Sequence, residues 1–202
     1  MAGTGRGWIA GLAFVTGILA SPRTAATDPT DFVTIGVLLL NPANVGPDTL
    51  TRAKAEATRI YQGLRITLVW TESDEAAVDY QFTVKIVSEA ISGKGIDGRA
   101  MGVAVGTREK RGTLAYAFYD RIKDVTQTIG ADKGLILGHV IAHEIGHLLL
   151  PYDSHANSGL MRGGWDTRQA LSASRGSLTF TPQEAALIRA RLQNVNAATV
   201  RR

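Results

Sequence analysis

The stretch Gly134–Leu150, GLILGHVIAHEIGHLLL, decides the fold because it is apolar on nearly every side of the helix that it predicts. Its strongly polar residues are His139, His143, Glu144 and His147. A helix that is apolar all round is expected at the centre of a domain. It is also too short and too polar to be a membrane span, which needs about 20 apolar residues. We therefore predict a buried central helix.

Three of these polar residues, His143, Glu144 and His147, fit the pattern H-E-x-x-H. Two imidazoles four residues apart share one helix face at about 6 Å, and both can reach a zinc ion at roughly 2.0–2.1 Å. Glu144 lies about 100° around the helix from His143, beside the metal, where it can accept a proton from zinc-bound water. The alternative is a core helix whose histidines bond to backbone and whose Glu144 pairs with an arginine. That arrangement would need backbone hydrogen bonds for the histidines and an arginine partner to compensate for the buried charge of Glu144.

The helix motif does not identify the third metal ligand. A catalytic zinc usually has three protein ligands and one free position. Downstream of His147 the chain has one histidine, His155, and three acids, Asp153, Asp166 and Glu184. Glu184 occupies a capping-box position of its own predicted helix, which already explains it.

The stretch 143–161, HEIGHLLLPYDSHANSGLM, resembles the metzincin metallopeptidases. Their extended pattern is H-E-x-x-H-x-x-G-x-x-H followed by a methionine turn, which Ser158–Met161 resembles. Leu150 stands where the family has glycine, and Asp153 stands where it has the third histidine. Histidine comes two residues later, at His155.

The resemblance offers two ways to close the site. Either the bend is two residues longer and His155 is the third ligand, or the spacing is kept and Asp153 binds through its carboxylate. We favour His155 because neutral imidazole is the commonest metal ligand. A resemblance to the gluzincins would instead use Glu184. In the metzincins the methionine, here Met161, underlies the ligands without binding the metal, and His139 is expected to be packed rather than coordinating.

The resemblance implies an exported zinc-dependent endopeptidase in which zinc polarises the scissile carbonyl and Glu144 activates water. A peptide or protein substrate would bind as an added strand, for which Met101–Val105 is the predicted edge. The rival classes are a non-catalytic zinc-stabilised binding domain, in which Glu144 would be unexplained, and a hydrolase of another amide or ester bond. Nucleic acid is not an expected partner because basic residues do not cluster.

Elsewhere, β-branched runs predict strands, helical spacing with capping residues predicts helices, and their order indicates an α+β fold with a mixed sheet. No linker or repeat divides the chain, so residues 27–202 are expected to form one catalytic domain. The predicted elements are strands Phe32–Leu40, Ile66–Trp70 and Tyr80–Val87; a helix capped by Asp48 and running to Leu64; a hairpin of Met101–Val105 and Leu114–Phe118; the central helix, capped by Asp132 and ended by Pro151; an irregular segment Ser154–Ser177; and a final helix from Thr181 to about Asn194.

The first 26 residues are typical of a signal peptide, with Arg6, the apolar run Trp8–Ala20 and small residues up to Ala26. Cleavage is expected after Ala20 or Ala26, and an uncleaved anchor is the alternative. We therefore predict a secreted or periplasmic protein. The formal net charge of +4 falls to near +2 without the leader, which removes two arginines and no acid. The chain has no cysteine, so disulfides and a cysteine lipid anchor are excluded.

Overall fold

One five-stranded sheet and five helices make up the residues that the computed structural model describes, namely 33–71, 80–91, 97–107, 112–151 and 154–199. These residues belong to one unit, Asp31–Arg202, and their content is consistent with the predicted α+β class. In chain order, the elements are β1 (Val33–Leu40), α1 (Pro47–Gln62), β2 (Ile66–Thr71), β3 (Tyr80–Val87), β4 (Gly102–Val105), β5 (Leu114–Phe118), α2 (Tyr119–Ile129), α3 (Lys133–Leu149), α4 (Thr167–Ser174) and α5 (Pro182–Thr199).

The sheet has the strand order β2-β1-β3-β5-β4. The first four strands in this order run parallel to one another, whereas β4 pairs antiparallel with β5 at one edge. Buried parallel strands carry continuous apolar runs, as in β1, where Ile35–Leu38 are all buried. The predicted hairpin is confirmed, with Val103 opposite Tyr116. Among the described strands β4 pairs with β5 alone, so the other side of β4 is an edge that no described strand covers.

Helix α3 is the buried central helix that the sequence predicts. Every residue from Ile136 to Gly146 is buried. The predicted cap is confirmed, since the Asp132 carboxylate accepts a hydrogen bond from the Leu135 amide at 3.1 Å. The helix ends at Leu149, two residues before Pro151, which cannot continue it.

Helices α1 and α3 lie in close contact. A Cβ atom added to Gly138 would lie 2.7 Å from the Ala53 carbonyl oxygen, so only glycine allows this approach. The Tyr61 hydroxyl, which is fully buried, donates a hydrogen bond to the Ala142 carbonyl oxygen at 3.0 Å. This contact holds the middle of α3, next to His143, against a neighbouring helix.

Three predictions about helices were wrong or incomplete. Helix α1 begins at Pro47 rather than after an Asp48 cap, because proline is suited to the first helical position and Asp48 then falls in the first turn. The segment predicted as irregular contains α4, which the Asp166 carboxylate caps through the Arg168 and Gln169 amides. Helix α2 was not predicted, and no side chain caps its start.

None of the helices in the described part of the chain is long and apolar enough to cross a membrane. The predicted signal peptide, residues 1–26, lies outside the described residues, so it remains a prediction.

Candidate metal centre

Three imidazoles meet at one point beside helix α3. His143 and His147 project from successive turns of α3, and His155 comes from the segment that follows it. The Nε2 atom of His147 lies 3.0 Å from that of His143 and 3.1 Å from that of His155. The ligand atoms of all three residues lie within 4.8 Å of one another. The structure therefore brings together the three predicted metal ligands in a cluster that could hold a metal ion.

The spacing of these nitrogens suits a tetrahedral ion. Two nitrogens that are each about 2.0–2.1 Å from a tetrahedral zinc ion lie about 3.3 Å from one another. The measured separations of 3.0 and 3.1 Å are close to this value. Three imidazole donors with a free fourth position are also the donor set of known catalytic zinc sites.

The outer ring nitrogens have partners that orient the rings. His143 Nδ1 donates a hydrogen bond to the Leu160 carbonyl oxygen at 2.7 Å. A carbonyl only accepts, so the proton of the neutral ring is on Nδ1 and the Nε2 lone pair faces the cluster. His147 Nδ1 lies 3.2 Å from the Ser154 hydroxyl oxygen.

The electrostatics keep two of these rings neutral. Burial lowers the pKa of His143 to about 4, against the opposing effect of the Leu160 hydrogen bond. Burial, together with the neighbouring imidazoles of His143 and His155, lowers the pKa of His147 to about 3. Both rings are therefore unprotonated at pH 7, which is the form that binds a metal.

Glu144 is a buried carboxyl group without a full set of partners. Its Oε2 atom has no hydrogen-bond partner among the described residues. Burial raises the pKa of Glu144 to about 8, while a hydrogen bond from the Ala104 backbone lowers it. A divalent cation held by the adjacent histidines would favour the charged carboxylate. The donor set and this carboxyl group together fit a bound cation.

The segment with the sequence of a methionine turn lies directly under α3. Met161 is fully buried, and its sulfur is so close to Gly146 that an added Cβ would lie 2.6 Å from it. The Met161 carbonyl oxygen accepts a hydrogen bond from the Ala156 amide at 2.9 Å, next to His155. Since Leu160 holds His143, one short loop supports two of the three histidines.

A cleft of about 570 Å³ opens onto the three histidines and Glu144. Strand β4 borders it, and the Trp165 ring approaches His143 edge-on with centroids 6.2 Å apart. Trp165 thus lines the cleft. Charged side chains at the cleft include Asp97, Arg99 and Arg162.

The other candidates lie outside this cluster. His139 is fully buried and packed as predicted, with Nδ1 2.9 Å from the Leu135 carbonyl oxygen and Nε2 3.3 Å from a Glu56 oxygen. Glu184 forms the predicted capping box with Thr181 and is not part of the histidine cluster. Asp166 caps α4. Asp153 lies outside the described residues.

Several supporting residues were not predicted. The Leu160 carbonyl, the Ser154 hydroxyl and the Ala104 amide act through contacts that only the folded chain reveals. Gly102 had a visible signal, because a glycine inside a strand often marks the close approach of another group.

Comparison with known proteins gave no match, either to a protein family or to a curated protein.

Proposed function

We propose that this chain is a zinc-dependent endopeptidase of metzincin type, with His143, His147 and His155 as metal ligands and Glu144 as general base. One observation carries the proposal. Three imidazole nitrogens converge beside a buried, incompletely bonded carboxyl group at a cleft that the edge strand β4 borders. Export, on the basis of the predicted signal peptide, is part of the same proposal.

The donor set favours zinc. Imidazole suits several transition metals, but three imidazoles with one free position are typical of catalytic zinc. When bound, the zinc ion supplies a Lewis acid that polarises a carbonyl group and increases the acidity of water.

Glu144 supplies proton transfer. Its carboxylate takes a proton from the water that attacks the scissile carbonyl carbon, and the protonated carboxyl group later gives this proton to the leaving amine. A residue in this role must lie beside the reacting atoms and not bind the metal. The position of Glu144, one residue after His143 on α3, satisfies both conditions. The amide of Ala104 holds the carboxylate from the side of β4.

Strand β4 offers a surface for an extended peptide. The Phe118 amide donates to the Met101 carbonyl oxygen at 2.8 Å, so the backbone of Met101 faces β5. Successive residues of a strand point their backbone groups to opposite sides, which leaves the backbone of Gly102 and the carbonyl oxygen of Ala104 for a substrate strand, since the Ala104 amide bonds to Glu144. A substrate strand could bind here by strand addition, alongside Glu144.

Three features support the metzincin assignment. The mixed sheet ends in an antiparallel strand next to the cleft. Met161 is buried beneath the H-E-x-x-H helix. His155, two residues beyond the usual spacing, lies in one cluster with His143 and His147, which supports it as the third ligand. Leu150 in place of the family's glycine fits a helix that continues to Leu149 before the chain turns.

Cleavage of a peptide library by the zinc-loaded protein tests the proposal. We expect cleavage that disappears with a chelator and returns when zinc is added back. Absence of cleavage, with one equivalent of zinc still bound, would contradict the peptidase and favour a zinc-stabilised binding domain. Hydrolysis of small amides or esters without peptide cleavage would show that the same chemistry acts on another class of substrate.

A further inference from the structure

We propose that Gly102 is a positioning residue for Glu144, so that the edge strand β4 both borders the cleft and fixes the general base. The catalytic consequence of this inference rests on the proposed function. The contact between Gly102 and Glu144 does not depend on whether the protein is active.

The carboxyl group of Glu144 packs directly against the backbone of Gly102. A Cβ atom added at Gly102 would lie 2.6 Å from Glu144 Oε1 and 2.8 Å from Glu144 Cγ. Separations below 3.0 Å require that something move. Glu144 is buried and its helix is held by the surrounding core, so the carboxyl group is the part that would be displaced.

Backbone conformation does not explain the glycine. Among the described residues, the glycines with positive φ are Gly130, Gly159, Gly164 and Gly176. Gly102 lies within a regular strand, paired with Ala117, where glycine weakens the strand and often marks a close approach of other groups. Two groups are close here, the carboxyl group of Glu144 and the backbone carbonyl oxygen of Tyr116, at 2.6 and 2.7 Å from an added Cβ.

A second residue of strand β4 also holds the Glu144 side chain. The backbone of Ala104, two residues along the strand and on the same side, bonds to the Glu144 carboxyl group. Gly102 therefore provides the space and Ala104 provides the hydrogen bond. Moving the carboxylate by about 1 Å is enough to reduce the rate of a proton-transfer step by about a hundredfold.

A substitution at a second glycine, Gly163, distinguishes an effect on the general base from an effect on metal binding. A Cβ atom at Gly163 would lie 3.0 Å from His155 Cγ, so Gly163→Ala should disturb a predicted ligand rather than the base. Gly98, in the segment leading into β4, has nothing within 4 Å of an added Cβ. Gly98→Ala is therefore the matched control.

The test is a double-mutant cycle between Gly102→Ala and Glu144→Ala, with thermal unfolding, zinc affinity and peptide cleavage measured for every variant. We expect Gly102→Ala to lower kcat by about tenfold or more with zinc affinity unchanged. It should also lower Tm in the wild-type background, and this loss should be smaller with Glu144→Ala, because the clash with the carboxyl group is then gone while the clash with the Tyr116 carbonyl oxygen remains. Gly98→Ala should change none of these quantities.

Full activity of Gly102→Ala would overturn the proposal. An equal loss of Tm in both backgrounds would also overturn it, because the added methyl group would then act on the Tyr116 carbonyl oxygen, which is 2.7 Å away. If Gly102→Ala does not fold, recovery of folding by Glu144→Ala supports the proposal and failure of both variants overturns it. If the wild-type protein cleaves no peptide, the proposed function fails, whereas the Tm cycle still decides whether Gly102 positions Glu144.

Discussion

His143 donates a hydrogen bond from Nδ1 to the carbonyl oxygen of Leu160 at 2.7 Å, and this bond joins the central helix to the loop beneath it. The two groups are 17 residues apart in the chain, and Met161 follows immediately. The loop therefore sets the orientation of a predicted ligand through its backbone and supports the helix through the methionine side chain.

Replacement of Met161 by alanine should destabilise the protein. The side chain is fully buried against Gly146, and a methionine-to-alanine change in a core costs about 2–5 kcal/mol. Urea unfolding of the metal-free protein measures the loss. Met161→Leu conserves volume and should cost less than about 1.5 kcal/mol. Equal stability of the alanine variant and the wild type would show that Met161 does not support the helix.

Replacement of His155 by alanine should weaken zinc binding more than about a hundredfold, because loss of a direct ligand should exceed the 10–100-fold effect of changing its outer partners. Competition with a chromophoric chelator measures the affinity. Asp153→Ala is the matched variant, since Asp153 is the alternative third ligand, and it should change the affinity little. A large loss for Asp153→Ala with none for His155→Ala would reverse the assignment.

The pH dependence of stability should reveal the buried carboxylate of Glu56. Hydrogen bonds from Arg59 at 2.6 and 2.9 Å lower the pKa of Glu56 below 4.5. Because the folded-state pKa is the lower one, the unfolded chain binds more protons, and the stabilising contribution is lost as the pH falls through the folded-state value. This loss should begin below about pH 4.5.

Unfolding of wild-type protein and Glu56→Gln by urea, in chelator from pH 3 to pH 7, isolates this contribution. The variant should be less stable at pH 7, and the difference should narrow below about pH 4.5. A difference that stays constant over the whole range would show that the Glu56–Arg59 pair does not stabilise the fold through its charge.

The elements that the sequence predicted correctly carry strong local signals. Asp132 and Pro151 mark the ends of α3, and the Thr181 capping box marks the start of α5. The helix motif His143–His147 places two predicted ligands by its spacing alone. His155 was favoured by residue type, and the structure brings it to the cluster.

The elements that were missed lack such signals. Helix α2 follows β5 directly, with Phe118 before it and no side-chain cap. Helix α4 is short, and its cap, Asp166, was considered as a metal ligand. The contact between Gly102 and Glu144 joins residues 42 positions apart, so it depends on the packing of β4 against α3. Local patterns do not contain that information.

The most direct test of the central claim is the zinc content and peptide cleavage of Glu144→Ala beside the wild type. We expect one equivalent of zinc in both proteins, because Glu144 is not a proposed ligand, and loss of cleavage in the variant, because the proposed general base is gone. Full cleavage by Glu144→Ala would remove Glu144 from the mechanism. Loss of zinc from the variant would instead make Glu144 part of the metal site.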